Sequence, residues 1–148
     1  MIPRRGWRRD ERGTALVETA LTFPLVLLLS ISVFEFGRAF QHWQILTNAA
    51  REGARVAVLP STSDEDVRAR VRTYLDAGRL AAADAATVGV ARNDEIALGD
   101  DATASASTVT VSYPFEFVVL LPLMQLVAGA SSVGEAITMT ASATMRNE

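Results

Sequence analysis

The 148-residue chain contains no cysteine, no lysine and a single histidine, His42. Without cysteine there are no disulfides, no thiolate metal ligands and no cysteine nucleophile. One imidazole leaves little for acid–base or metal chemistry, and a ligand role for His42 is not expected. All 14 basic residues are arginine, which reads as composition bias more than as a demand for guanidinium groups. Walker, dinucleotide-binding and zinc-ligand spacings are missing, and Gly129-Ala-Ser-Ser-Val-Gly134 lacks the Gly-x-Ser-x-Gly spacing of a nucleophile elbow. The expectation is therefore no catalytic residue, no metal, no cofactor and no small-molecule substrate: not an enzyme. The 17 acids leave a net charge of −3, which argues against a nucleic-acid partner.

What charge there is, is segregated. Residues 1–13 (MIPRRGWRRDERG) hold five arginines against Asp10 and Glu11, a net of +3; residues 14–148 hold nine against fifteen acids, a net of −6. Directly after the basic block comes TALVETALTFPLVLLLSISVF, Thr14 to Phe34, 21 residues with one charge, Glu18. At about 1.5 Å per residue this makes a helix of roughly 30 Å, the hydrocarbon thickness of a bilayer. A buried core helix is the soluble alternative, yet a domain of this size rarely offers so long an apolar environment on all sides. The basic block keeps the N-terminus cytoplasmic and sends the rest outward. A cleaved secretory signal is the other alternative, but past Phe34 the chain reads EFGRAFQHW, with bulky or charged residues where an A-x-A site should be, and the apolar run continues into further helix.

The helix continues without proline from Glu35 to Leu59. Phe36, Phe40, Trp43, Thr47, Ala50, Ala54 and Ala57 recur at steps of three and four, which predicts one packed face. Its small residues suit close approach to a sheet, and Pro60 ends it. Glu35 and Arg38 at the membrane boundary are spaced for an ordinary i,i+3 ion pair, and Trp43 suits an interfacial anchor. Arg51, Glu52 and Arg55 read as a solvated helix face.

After Pro60, Ser61-Thr62-Ser63 before Asp64-Glu65-Asp66 give three overlapping capping boxes, so a helix start is signalled but its cap is not unique. Val67, Val71, Tyr74 and Leu75 mark the buried face; Gly78 closes this helix, or the alanines to Ala83 extend it. Thr87–Ala91, Ser107–Tyr113 and the alternating Ile137–Met145 read as strands. Residues 92–106 read as turn and loop around a weak strand at Glu95–Leu98. The uncharged run at 117–130 is divided by Pro122 and is short for a span. It is expected as a buried or membrane-apposed connection, the alternatives being a partner contact or a second crossing. The fold class predicted is α+β: a long N-terminal helix, transmembrane in its first half, packed on a small antiparallel sheet with a second short helix. The divisions are a basic leader at 1–13, a transmembrane helix at 14–34, its amphipathic extension at 35–59 and an exported domain at 60–148.

Arg12-Gly13 before Thr-Ala-Leu-Val-Glu18, an apolar run with Pro24, Glu35-Phe36-Gly37-Arg38, and Ala49-Ala50-Arg51-Glu52-Gly53-Ala54-Arg55 together resemble the TadE-like family. Its members are minor pilins or pseudopilins of the tight-adherence (Tad) type IV pilus. The resemblance is strong over residues 12–58 and weak but collinear beyond; Thr19 departs from the aromatic common after the motif glutamate. It implies a pilin-like fold and cleavage between Gly13 and Thr14 by an aspartic-type prepilin peptidase on the cytoplasmic side. Its implied partners are the membrane, that peptidase, other pilin subunits and the assembly platform. Its implied location is the bacterial inner membrane, single-pass with the N-terminus cytoplasmic, or the pilus itself.

Cleavage would put an α-amine on Thr14 one helical turn before Glu18. An intramembrane carboxylate costs about 2.5–3.5 kcal/mol at the bilayer centre on insertion scales and less near the interface. A neighbouring subunit's Thr14 amine would offset that charge in a helix bundle; snorkelling of Glu18 to the headgroups is the alternative. Two functional readings follow: a minor pilin acting in pilus assembly, or an unprocessed envelope protein presenting an extracytoplasmic interaction domain.

Overall fold

The computed structural model describes residues 11–99, 102–122 and 137–147. The expected leader lies largely outside them, as does most of the second apolar run. One helix, α1 (Glu11–Ala57), extends for 47 residues with Pro24 inside it. Leu16, Leu21, Phe23, Leu25, Leu29 and Val33 all lie exposed along its first half, and the most apolar stretch has none of its residues buried in the protein. Its hydroxyls bond back to its own carbonyls, Thr19 to Ala15, Thr22 to Glu18, Ser30 to Val26 and Ser32 to Leu28, at 2.8–2.9 Å. That leaves a surface lipid can solvate.

The second half of α1 packs on a sheet. Helix α2 (Asp64–Ala77) leads through a short 3-10 turn at Ala83–Ala85 into strands β1 (Thr87–Gly99), β2 (Ala102–Phe115) and β3 (Ile137–Arg146). The sheet is antiparallel in the order β1-β2-β3. On its inner face β2 places Val109, Val111, Tyr113 and Phe115 against Leu46, Ala49, Ala50 and Ala54 of α1 and Val67, Val71 and Leu75 of α2. Its outer face carries a hydroxyl ladder, Thr108–Thr144, Thr110–Ser142 and Ser112–Thr140, at 3.0–3.2 Å. Period-two alternation in β2 and β3 thus sorts apolar from hydroxyl side chains. The small side chains of α1 do what small residues allow: a Cβ on Gly53 would lie 2.6 Å from Val71 Cγ2 and 3.1 Å from Val109 Cγ1.

The α+β expectation holds, and three local readings are corrected. The strand read at Glu95–Leu98 is present within β1, but the described residues on either side of it, 92–94 and 102–106, are strand too and not loop. β1 and β2 pair through them, with an irregularity between Ala91 and Asp94 where Asn93 takes a φ of 60°. Asn93, Asp94 and Glu95 are exposed, so this arm gets its order from backbone pairing without an apolar face to mark it. The packed face of α1 follows the predicted stripe at Ala50, Ala54 and Ala57, which are buried, and departs from it nearer the apolar half, where Phe36, Phe40 and Trp43 are exposed and Glu35, Ala39 and Leu46 are buried instead. The spacing fits both faces; the fold buries the second. Finally, of the three capping boxes only Ser63–Asp66 forms: Ser63 Oγ accepts from the Asp66 N–H at 3.2 Å, and the Ser63 N–H donates to Asp66 Oδ2 at 3.0 Å. The Ser63 hydroxyl, which also donates to Asp66 Oδ2 at 2.6 Å, and then the Ser63 N–H hold the Asp66 carboxyl below its ordinary pKa. Gly78 ends α2.

Candidate functional site

Two regions of α1 hold the residues singled out from the sequence. At its start, Gly13 and Thr14 lie inside the helix, Gly13 half-buried and Thr14 exposed. The Gly13–Thr14 peptide is helical here, in a first turn that glycine weakens by up to about 1 kcal/mol relative to alanine. Glu18 is exposed one turn further on, about 6 Å along the axis from Thr14.

The second region lies where the exposed apolar half of α1 meets the folded domain. Glu35, spaced for a plain surface ion pair, is only 1% exposed. Its carboxylate accepts from the Val118 N–H at 3.1 and 3.2 Å, the Val119 N–H at 2.9 Å and Arg38 Nη2 at 3.0 Å. Arg38 also donates to the Glu116 carbonyl and lies over the Phe115 ring, its Cζ 4.8 Å from the centroid. One carboxylate therefore ties α1 to a segment more than eighty residues away. Burial pushes the Glu35 carboxyl up, but the Val119 N–H, Arg38 and the Val118 N–H outweigh it and hold the pKa below the ordinary value. The i,i+3 spacing announced the ion pair, but nothing local announced the two amides.

His42 follows on the same face, edge-on to Phe115 at 5.2 Å and to Tyr113 at 5.6 Å. Burial, then the Arg38 charge, lowers its pKa, so the ring is neutral near pH 7. Trp43 is exposed, 6.1 Å from Phe40. Among the described residues no cluster of His, Cys, Asp or Glu has the makings of a metal site.

Two arginines missed as structural ties fix the rest of the domain. Arg92 in β1 donates to Asp64 Oδ1 at 2.7 Å, the Ala57 carbonyl at 2.8 Å and the Thr62 carbonyl at 2.9 Å. A cation thereby caps the end of α1 and joins it to the start of α2. Arg70 of α2 places Nε and Nη2 on Glu52 Oε1 at 3.1 and 2.6 Å, so Glu52 is a cross-helix tie and not a merely solvated residue. That contact lowers the Glu52 pKa against the opposing effect of burial, with Arg55 adding to it. Arg51 and Arg55 are exposed, as read.

The family model described as TadE-like protein matches residues 13–55, from the expected cleavage glycine through the small-residue face of α1. The match supports a Tad-pilus-associated protein with an N-terminal apolar helix. That helix is long and apolar enough to cross a membrane once. No curated protein and no solved structure matches the chain.

Proposed function

We propose, with this TadE-like segment as premise, that the protein is a membrane-anchored minor pilin or pseudopilin acting in Tad-pilus assembly. Its role is structural and interactive, without catalysis. The observation that carries the reading is the match over residues 13–55; the exposed apolar half of α1 supports it. The basic block stays cytoplasmic and the sheet domain is exported through the inner membrane. A prepilin peptidase cuts after Gly13 and frees the Thr14 amine. In the bundle formed with other pilin subunits, Glu18 accepts the Thr14 amine of a neighbour, and the assembly platform receives the processed helix.

The test is the mass of the membrane-inserted protein made beside an active prepilin peptidase. Wild type is expected to lose residues 1–13, and Gly13→Leu, which sets a bulky side chain at the scissile bond, to retain them. Equal cleavage of both would refute Gly13 as the determinant. No cleavage of wild type would establish the unprocessed envelope protein instead.

A further inference from the structure

An apolar collar surrounds the point where α1 enters the folded domain. Phe36 is 62% exposed on the helix, and Val118 and Val119 are 64% and 43% exposed beside it. Phe117 meets Phe36 edge-on at 5.8 Å and joins the two halves of the collar. Residues 117–122 (FVVLLP) carry no charge. The collar continues the exposed apolar surface of α1, which runs from Leu16 through Phe34.

The backbone of this segment is prepared for lipid. Hydrocarbon penalises any polar backbone group left unpaired. Here the Val118 and Val119 amides are taken by Glu35 and the Glu116 carbonyl by Arg38. Glu35 is itself compensated by Arg38, and the exposed Glu116 precedes the uncharged run. The tether also fixes depth. Glu35 immediately follows Phe34, so immersing the helix to Phe34 brings the Val118 amide to within a few ångströms of the same level, at about 1.5 Å of rise per residue.

We propose that residues 117–122 form an interfacial wedge. The wedge lies in the outer headgroup–acyl boundary of the bilayer that α1 crosses, and lipid covers the collar. The exported domain is thereby held to the membrane at two points, and Glu35 sets its height and tilt. This rests on α1 being a membrane span, and the experiment separates the two claims.

The absence of cysteine permits single nitroxide labels in an otherwise native full-length chain. Val118→Cys, Leu27→Cys and Asp76→Cys are labelled in vesicles of phosphatidylethanolamine and phosphatidylglycerol. Accessibility to oxygen is read against accessibility to a water-soluble nickel chelate. Position 118 is expected to favour oxygen as position 27 does, with the ratio reversed at the exposed Asp76. Val119→Cys repeats the measurement should Val118→Cys disturb the segment. Nickel accessibility at both 118 and 119, with Leu27 still in lipid, overturns the wedge and leaves the span standing. Nickel accessibility at Leu27 overturns both. Spin–spin broadening at 118 that survives dilution in lipid overturns the assignment to lipid, because a second copy then covers the collar.

Discussion

Replacing Glu35 by alanine removes one acceptor that serves three donors, the Val118 and Val119 amides and Arg38. A donor stranded by losing its partner costs about 1–3 kcal/mol, the full value applying only away from water. The protein itself does not bury Val118 or Val119, the headgroup boundary admits water to their amides, and Arg38 is partly exposed. The lower end therefore applies to each, and the three together lose about 3 kcal/mol. Two of the three donors are amides of the connection that follows β2, so the loss should appear as local opening of residues 116–122. At about 1.4 kcal/mol per tenfold, amide hydrogen exchange across 117–122 is expected to rise about a hundredfold over wild type. Exchange is measured by mass spectrometry on the full chain in detergent micelles. Glu35→Gln, which keeps an acceptor but no charge, should fall between. The folded Glu35 pKa is lowered, so its contribution is complete above the unfolded glutamate value of about 4.3 and fades as pH falls through the folded value. Wild-type protection should accordingly weaken in acid while Glu35→Ala shows no such step. If protection is unchanged in Glu35→Ala, the segment is held by Phe117 against Phe36 and Phe115 alone, and the carboxylate is not its anchor.

Glu18→Ala is expected to insert, be cleaved and leave residues 61–148 folded, while crosslinking between neighbouring pilin subunits is lost. Breaking a buried pair costs about 3–5 kcal/mol because the remaining charge is uncompensated; wild-type crosslinking would dispose of the Thr14–Glu18 pairing. Gly53→Ala gains up to about 1 kcal/mol of helix propensity, but its Cβ would lie 2.6 Å from Val71 Cγ2. Overpacking of about 1–3 kcal/mol exceeds that gain, so thermal unfolding should move down and a paired Val71→Ala should restore it; a higher midpoint for Gly53→Ala alone would show that the helices separate freely there. Arg92→Met removes the ties to Asp64, Ala57 and Thr62 and should lower stability by about 1–3 kcal/mol. An unchanged urea midpoint would mean those carbonyls are served equally well by water.

The course of α1, the alternation of β3 and the start of α2 were legible because each depends on short-range pattern. A run of 21 residues with one charge makes a helix that can live in lipid, and alternation of apolar and hydroxyl residues makes a strand with one buried face. Gly13, Thr14 and Glu18 were singled out through the family resemblance, and the helix sets Thr14 and Glu18 one turn apart. What the tertiary structure decided were the matters in which local pattern offered several equal answers. Both Phe36–Phe40–Trp43 and Glu35–Ala39–Leu46 fit helical spacing, and the fold buried the second: Leu46 enters the sheet core and Glu35 meets the chain returning after β2. Ser63 became the cap among three eligible hydroxyls. The pairing of 92–99 with 102–106 was concealed because Asn93, Asp94 and Glu95 are exposed and backbone pairing leaves no side-chain signature there. Glu35 was an ordinary i,i+3 partner until the chain returned, eighty-three residues later, with two amides that needed an acceptor. Such long-range pairing follows from where the sheet places the end of β2, and the residues around Glu35 do not encode it.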